Sequence, residues 1–441
     1  KKLALEYGSG KSKSLYRLGV QKDMKKVLIV APLLTRSGYG EHARFVVDSL
    51  SKFPHLYDLY VHPLNWGISS WDWGNDPKRE YYDSLIKKAA HFKGEFDLSV
   101  QVTIPSEWKK VAKTNLGVTA GVETDRLPAE WLPMSNEMDG IIVTSNHIKK
   151  LFETSPYTVQ NQFSGEEVKM MGCQTPVSVV TYPVKQVTPA SLEDKIVLEN
   201  DFNFLTIAQL APRKNLFATI EWFLEEFEND PVGLVIKSHV EKSNTSDRMR
   251  TEQILKGVLE RTDTPNRVCN FYHIHGTMTE EEIHGLYVHP QINAIVSTTH
   301  GEGFGLPLYE AAYMGMPVLC PGWSGQEDFL YAPKNPENTK SKMTPHSEKV
   351  RYEIRDVNED AYMPGVMEKG MKWCYPDKKH FKKGLRAVYE AYAAKKKQAE
   401  SLQRYLQSTF ALEKQQKAIV DAIEKASSTQ WKDKMSEVEI L

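Results

Sequence analysis

Short apolar runs recur along the chain, and each one ends in small or polar residues. In the first half these runs are KKVLIVAPLL (25–34), YDLYVHPLNW (57–66), FDLSVQVTI (96–104), NLGVTAGVE (115–123) and MDGIIVTSNH (138–147). The second half repeats the pattern with FNFLTIAQL, VGLVIKSHV, RVCNFYHIHG, INAIVSTT and MPVLCPG. Apolar runs of this length, separated by stretches of helical periodicity, are typical of buried parallel strands. We therefore expect an α/β chain with two Rossmann-like, doubly wound parallel-sheet domains in tandem.

The length of 441 residues suits two large domains. The segment YPVKQVTPASLEDK (182–195) holds two prolines and little apolar density, so we place the linker there. A polar, Lys/Pro/Asn-rich stretch at 333–349 is expected to be an excursion or lid. The predicted organisation is a flexible extension at 1–23, a first Rossmann-like domain at 24–185, a second at 186–376, and C-terminal helices at 377–441 that pack back toward the first domain.

Composition excludes several classes of protein. The formal net charge is −1, so no global field favours nucleic acid or an acidic membrane. No run of 18 apolar residues is present, and the charged N-terminus does not resemble a signal peptide. GSGKS (8–12) lacks the glycine that a phosphate loop needs five residues before Gly10. Scattered cysteines without zinc spacing favour reduced thiols in a cytoplasmic protein; they are Cys173, Cys269, Cys320 and Cys374.

A glycine-rich turn, HGEGFG (300–305), follows the strand NAIVSTT and precedes the helix LPLYEAAYMG. Pro307 suits the first turn of a helix, where its missing N–H has no intrahelical partner to lose. Glycine lets the backbone approach a ligand closely. The N–H groups at 304–308, other than at Pro307, and the helix dipole favour an anion, and a diphosphate fits that position.

Two glutamates flank this anion position, Glu302 in the turn and Glu310 one turn into the helix. Carboxylates repel phosphate but accept hydrogen bonds from neutral hydroxyls, so Glu302 would hold a sugar and Glu310 a ribose. A nucleotide-sugar has its phosphates in the middle and hydroxyls on both sides. The alternative is that Glu302 is solvent-exposed and Glu310 is only a favourable first-turn acid.

The stretch HGEGFGLPLYEAAYMGMPVLCPGWSGQEDF resembles the Glu-x7-Glu signature of retaining glycosyltransferases of GT-B fold, family 4 type. SGYGEHAR, LAPRKN and HG near 275 agree in order, so the resemblance spans about residues 25–330. It implies a nucleotide-diphospho-sugar donor held mainly by the second domain and an acceptor on the first. It also implies that catalysis needs no cofactor and no metal, and no acidic metal-binding pair is evident.

The resemblance implies roles for individual residues of the second domain. Glu302 would contact the donor sugar and Glu310 the ribose, while Lys214 matches the family's phosphate-binding lysine. The arginine that usually lies five residues earlier is replaced by Gln209, and Arg213 is expected to supply that charge. Two cations there would stabilise the departing diphosphate. The backbone that serves sugar and phosphate is that of Gly303, Phe304, Gly305 and Leu306.

Two loops of the first domain are candidates for the opposite wall of the site. Gly38, Tyr39 and Gly40 follow a strand and open a helix, where they would approach the donor or simply form a tight turn. GVETDRLPAEW (121–131) occupies the region where many family members have a catalytic-site histidine, and it is similar to a subgroup with an acidic-arginine element. It offers Glu123, Asp125 and Arg126, of which either acid would orient the acceptor or take its proton. A helix cap with a local ion pair is the alternative.

Weaker candidates lie elsewhere. HPLNWGISSWDW holds His62, Trp66, Trp71 and Trp73, whose rings suit stacking on a sugar or base, or plain packing. His147, His273, His275 and His300 show no metal spacing, although His300 borders the glutamate motif.

These features predict a retaining glycosyltransferase that moves a sugar from a nucleotide-diphospho-sugar to an acceptor hydroxyl. The acceptor is expected to be a glycan or lipid-linked saccharide. A modified, hydroxymethylated base in DNA is an alternative, for which lysine-rich stretches at 340–351 and 378–397 would bind the backbone. A nucleotide-sugar hydrolase, epimerase or sensor is the alternative from another class, because paired carboxylates also cut glycosides.

Overall fold

A six-stranded, wholly parallel sheet forms the first half of the chain. The computed structural model describes residues 24–67, 69, 78–160, 167–262, 264–335 and 340–428. The strands of this half are β1 Lys25–Ala31, β2 Tyr57–Pro63, β3 Leu98–Val102, β4 Thr114–Thr119, β5 Gly140–Val143, β6 Pro156–Gln160, β7 Glu167–Met171 and β8 Val177–Val179. Their order in the sheet is β2-β1-β3-β4-β5-β8, and β6 and β7 form a separate antiparallel pair.

A second parallel sheet has the order β11-β10-β9-β12-β13-β16. The strands of this half are β9 Phe202–Ile207, β10 Val232–Lys237, β11 Asn270–Ile274, β12 Ile292–Val296, β13 Val318–Pro321, β14 Tyr331–Pro333, β15 Met343–Pro345, β16 Glu348–Val350, β17 Tyr352–Asp356 and β18 Lys372–Pro376. Both Rossmann-like sheets predicted from the sequence are confirmed, with one strand in each of the ten predicted apolar runs.

Helices cover the faces of both sheets. They are α1 Gly38–Ser51, α2 Arg79–His91, α3 Trp131–Asn136, α4 Asn146–Thr154, α5 Leu216–Glu226, α6 Thr245–Thr262, α7 Glu280–Val288, α8 Leu306–Tyr313, α9 Lys378–Glu390, α10 Tyr392–Thr409 and α11 Leu412–Ala426. Chain order reverses at β1/β3 in one sheet and at β9/β12 in the other. Ligands of open α/β sheets bind beyond the carboxyl ends of strands at such points.

The last three helices divide between the two domains. Phe381 and Leu385 of α9 pack in a core with β9 and β10, and Leu402 of α10 packs with α8. Only α11 reaches the first domain, where Ile419 and Ile423 join the core of β1 and α1. Of the described helices after residue 377, α11 therefore packs on the first domain, whereas α9 and α10 bury their apolar faces on the second.

A hairpin joins the two domains through a shared core. Strands β17 and β18 pair antiparallel, and the stretch from 352 to 376, which we call the bridging hairpin, carries Trp373 into a cluster with Trp108 and Trp131 of the first domain. Trp131 Nε1 also donates to the Gly365 carbonyl at 2.8 Å. Within the predicted excursion at 333–349, the described residues form β15 and β16 instead, and the segment that crosses to the other domain is the bridging hairpin.

Truncation of the shared core should be costly. Trp373 is fully buried, so Trp373→Ala is expected to lower the free energy of unfolding by about 3–5 kcal/mol, measured by urea denaturation. Met363 lies on the same hairpin but is 55% exposed, and Met363→Ala should change the same quantity by about 0.5 kcal/mol or less. Equal unfolding midpoints for the two variants would show that the hairpin does not share a core with the first domain.

Candidate active site

The glycine-rich bend at 301–305 lies where the two domains meet. A Cβ on Gly303 would stand 2.5 Å from the Ala120 carbonyl oxygen, and one on Gly301 would stand 3.0 Å from Glu123. Gly305 has φ +95° and is the N-cap of α8. Only glycine allows this backbone path and this close an approach to the first domain. The first-turn N–H groups of α8, which have no intrahelical acceptors, begin directly after the bend.

Hydrogen bonds from the first domain fix the bend. Ser145 Oγ donates to the Gly303 carbonyl at 2.8 Å, and Thr144 Oγ1 donates to the same oxygen at 3.3 Å. Beside them, the Asn146 N–H donates to Asp328 of the second domain at 2.7 Å. The first domain therefore holds the bend directly through Gly303 and is tied to the second domain beside it.

Glu302 is buried and ion-paired. It is 8% exposed, which excludes the alternative of a solvent-exposed acid. Lys214 Nζ lies 2.7 Å from both carboxylate oxygens, and Arg213 Nη1 lies 3.2 Å from one of them. Burial alone would raise the pKa of Glu302, but the two cations outweigh it and lower that pKa to about 2. Glu302 is therefore a carboxylate that accepts hydrogen bonds at every physiological pH.

Arg213 extends this ion pairing to the first domain. Its Nη1 donates to the Gly301 carbonyl at 2.6 Å, and its Nη2 lies 3.3 Å from Glu123 Oε1. Burial lowers the pKa of Lys214, and its neighbour Arg213 lowers it further. We call Glu123, Arg213, Lys214 and Glu302 the cleft charge cluster; its two carboxylates and two cations give a formal charge of zero.

A tight turn presents the two cations. Pro212–Lys214 form one turn of 3₁₀ helix after β9, and Asn215 ends it in the left-handed region at φ 49°. The His300 N–H donates to the Arg213 carbonyl at 2.8 Å, which ties the turn to the start of the bend. Gln209, five residues before Lys214, is exposed and donates to the Val240 carbonyl at 2.7 Å.

Glu310 belongs to a second group of charges. Tyr287 donates to its Oε2 at 3.1 Å, and Lys185 Nζ lies 3.8 Å from its Oε1. The same ammonium group lies 2.7 Å from Glu280 and 3.0 Å from Glu41 of the first domain. Burial raises the pKa of Glu310 in spite of Lys185. We call Glu41, Lys185, Glu280 and Glu310 the linker charge cluster. Sequence reasoning missed Lys185, because a lysine in a Pro-containing linker carries no local signal.

The loop before α1 borders the bend from the first domain. Ser37 caps α1 by accepting from the Gly40 N–H at 3.0 Å, and a Cβ on Gly40 would meet the Thr35 carbonyl at 2.1 Å. Gly38 is exposed, and a Cβ there would stand 3.9 Å from Leu306 at the start of α8. Gly40 is thus fixed by packing within its own domain, whereas Gly38 faces the second domain.

Tyr39 is held rigidly between these glycines. Its hydroxyl lies 2.8 Å from Thr119 Oγ1 and accepts from the Ala120 N–H at 3.2 Å. Its ring stacks on Trp66 with centroids 4.0 Å apart. Trp71 and Trp73 lie outside the described residues.

The three charged residues predicted at 123–126 separate in the structure. Only Glu123 joins the cleft charge cluster. Asp125 accepts from the Lys372 N–H at 2.7 Å, and Arg126 Nη2 lies 3.0 Å from where a Cβ on Gly370 would be, so both contact the bridging hairpin. The role of Glu123 or Asp125 in orienting the acceptor or taking its proton stays a prediction.

The histidines serve contacts between elements. The His300 ring stacks on Trp373 with centroids 4.5 Å apart, and its Nδ1 lies 2.6 Å from the Cys374 carbonyl. Burial lowers the pKa of His147, 3.2 Å from the Thr124 carbonyl, to about 4. His275 pairs with Asp247 at 3.0 Å. Across the described ranges, no three His, Cys, Asp or Glu side chains are grouped to hold a metal ion.

No helix in the part of the chain that the structure describes has the length and apolarity needed to cross a membrane.

Acid should selectively remove the stabilisation that Glu302 provides. Its pKa is about 2 in the folded chain against an ordinary 4.5, so this stabilisation is complete above pH 4.5 and disappears as the pH falls toward 2. In urea denaturation at pH 7, the free energy of unfolding of the wild type is expected to exceed that of Glu302→Gln by about 3 kcal/mol. The difference should be smaller at pH 3.5. The exposed Glu137 provides a control, because Glu137→Gln should track wild type at both pH values. A difference between wild type and Glu302→Gln that is independent of pH would contradict the ion pairing.

Comparisons with known proteins agree with this architecture. Residues 288–419 match the model of a family described as "Family 4 Glycosyltransferase in conflict systems". None of the curated proteins compared matches the chain significantly. Sucrose-phosphate synthase from Thermosynechococcus elongatus is similar in structure, with a TM-score of 0.59 at 12% identity over 91% of this chain and 98% of that one.

Two further solved structures are similar over nearly their whole length. Anabaena HepE in complex with UDP-glucose has a TM-score of 0.53 at 12% identity over 91% of this chain and 100% of that one. The UDP-forming trehalose-phosphate synthase from Burkholderia xenovorans has a TM-score of 0.55 at 10% identity, over 92% and 100%. The predicted GT-B fold is confirmed, and residues 288–419 are similar to the family 4 glycosyltransferases that this model describes.

Proposed function

We propose that this chain transfers a sugar from a nucleotide-diphospho-sugar to an acceptor hydroxyl with retention at the anomeric carbon. The observation that carries the proposal is the position of Glu302. This buried carboxylate lies in a glycine-rich bend at the domain interface, between Lys214 and the start of α8. Cations and a helix N-terminus attract the diphosphate, and the adjacent carboxylate accepts from sugar hydroxyls.

The donor would span from the cleft charge cluster to the linker charge cluster. The diphosphate would bind Lys214 and the backbone N–H groups near Phe304, Gly305 and Leu306. Glu302 would hold the sugar, and Glu310 would accept from the ribose hydroxyls. Because the pKa of Glu302 is about 2, this side chain is no proton donor at neutral pH. Glu302 is therefore not the carboxyl group that would protonate a leaving oxygen in the hydrolase alternative.

Lys214 and Arg213 would stabilise the charge that develops on the diphosphate as the sugar–phosphate bond breaks. Both are already oriented by Glu302, so little reorganisation is needed during the reaction. In this mechanism no metal is required and no protein nucleophile is formed. The departing phosphate would help to deprotonate the acceptor on the same face of the sugar, which leaves the anomeric configuration unchanged.

The acceptor would approach from the first domain, past Gly38, Tyr39 and Glu123. A glycan or lipid-linked saccharide is the acceptor class we propose. The similar structure of Anabaena HepE is a complex with UDP-glucose, so a UDP-sugar is the first donor to test.

A panel of nucleotide-sugars should contain one that stabilises the chain. A donor present at 100 times its Kd raises the free energy of unfolding by about 2.7 kcal/mol, which thermal unfolding detects as a higher Tm. Glu310→Ala is expected to abolish this shift, because the ribose loses its acceptor. Glu260→Ala, on the exposed face of α6, should leave it intact. An undiminished shift in Glu310→Ala would remove the ribose role.

The product should keep the donor's anomeric configuration. With the stabilising donor and a hydroxyl acceptor, NMR coupling constants at the anomeric carbon of the first product formed are expected to match those of the donor. Inverted product would contradict the same-face mechanism. Release of free sugar at the same rate without any acceptor would identify water as the acceptor and favour a hydrolase.

A further inference from the structure

We propose that Lys185 is a positioning residue for donor binding, because its ammonium group keeps Glu310 ionised and oriented to accept from both hydroxyls of a ribose diol. This inference rests on the proposed function and concerns the same donor site. Lys185 is a linker residue between the two sheets, and neither the family model, which starts at 288, nor the Glu-x7-Glu motif includes it.

The geometry places Lys185 at the centre of three carboxylates. Its Nζ lies 2.7 Å from Glu280 at the start of α7, 3.0 Å from Glu41 at the start of α1, and 3.8 Å from Glu310 on α8. The Lys185 side chain is 25% exposed and that of Glu310 only 13%. These four residues come from two domains and the linker, so the ammonium group is fixed from three directions.

The charges around Glu310 show why this cation matters. Three carboxylates and one ammonium group sum to −2 in the linker charge cluster. Glu41 has a second partner in Arg44, which leaves Lys185 as the shared cation for Glu280 and Glu310. The other titratable groups that face Glu310 come from the helices packed against it and are three phenols and one imidazole, those of Tyr287, Tyr309, Tyr313 and His284. On the α10 side, Lys396 donates to the Gly315 carbonyl, beyond the end of α8.

Loss of the ammonium group would make Glu310 harder to ionise. Burial raises the pKa of Glu310, and Lys185 opposes that rise. Without Lys185, Glu41 and Glu280 would repel a third negative charge, and the pKa would rise further. A protonated Glu310 has a hydrogen to donate and only one good acceptor, so it loses a charge-assisted hydrogen bond to the diol, a loss of about tenfold in affinity. Binding that needs the ionised form is present above this pKa and lost as the pH falls through it.

The test measures the Kd of UDP-glucose by calorimetry from pH 5.5 to 9, since the diphosphate of this donor does not titrate in that range. Lys185→Met is expected to weaken binding about tenfold at pH 7 and to recover toward the wild-type Kd as the pH rises. Lys185→Arg should restore the wild-type profile. Lys195→Met is the matched control, a linker lysine that pairs with Glu282 on the same α7 and should not move the profile.

A ligand variant tests whether the effect passes through the diol. The 2′-deoxyribose form of UDP-glucose lacks one of the two hydroxyls, so the penalty of Lys185→Met should shrink for it. An equal penalty for both ligands would overturn the proposal. If Lys185→Met does not fold, Glu280→Gln is the variant to measure. It removes a carboxylate that competes for Lys185, so the ammonium group should stabilise ionised Glu310 more strongly. The pH below which UDP-glucose binding is lost should then be lower than in wild type. An unmoved limit would also overturn the proposal.

The binding experiments distinguish an error in the role of Lys185 from an error in the proposed donor site. If wild type binds no nucleotide-sugar, or if Glu310→Gln binds UDP-glucose as well as wild type, the donor site itself is wrong. If Glu310→Gln weakens binding while Lys185→Met keeps both the wild-type Kd and the wild-type pH profile, the donor site stands and the role of Lys185 is wrong. A purely structural Lys185 would lower the Tm without moving the pH profile, which likewise overturns the proposal.

Discussion

The backbone of the glycine-rich bend lies against the backbone of the first domain, and no side chain fits between them. A Cβ on Gly303 would be 2.5 Å from the Ala120 carbonyl of the first domain, and within the second domain one on Gly325 would be 2.1 Å from the Gly303 carbonyl. These distances are shorter than van der Waals contact, so the site exists in this form only with glycine at both positions. The close approach also brings Glu123 within 3.3 Å of Arg213 and so completes the cleft charge cluster.

The two glutamates of the motif are eight residues apart in sequence but have opposite electrostatic surroundings. Glu302 contacts two cations, Lys214 and Arg213, which outweigh its burial and lower its pKa to about 2. Glu310 shares one cation, Lys185, with two other carboxylates, and burial raises its pKa. Buried ions are costly unless they are well paired, so the first glutamate is securely ionised and the second depends on its neighbours. The two ends of the proposed donor site therefore differ in their sensitivity to pH.

Local pattern was sufficient for much of the fold. The apolar runs predicted the ten central strands, and the Gly-rich turn followed by Pro307 predicted the start of α8, because these signals depend on residues close in sequence. The bridging hairpin was not predicted: β17 is exposed along its whole length, and its partner core lies in the other domain. The ion pairs of Lys185 were also not predicted, because their partners are distant in sequence. Nothing near Lys185 indicates that Glu41 and Glu310 will meet it.

Tertiary contacts also determine which of residues 123–126 reach the cleft. The sequence predicted that either acid of this loop would orient the acceptor. In the structure Glu123 pairs with Arg213 in the cleft, whereas Asp125 accepts from the Lys372 N–H of the bridging hairpin. An opening of the cleft must break the Glu123–Arg213 pair and part either the shared tryptophan core or the stack of His300 on Trp373.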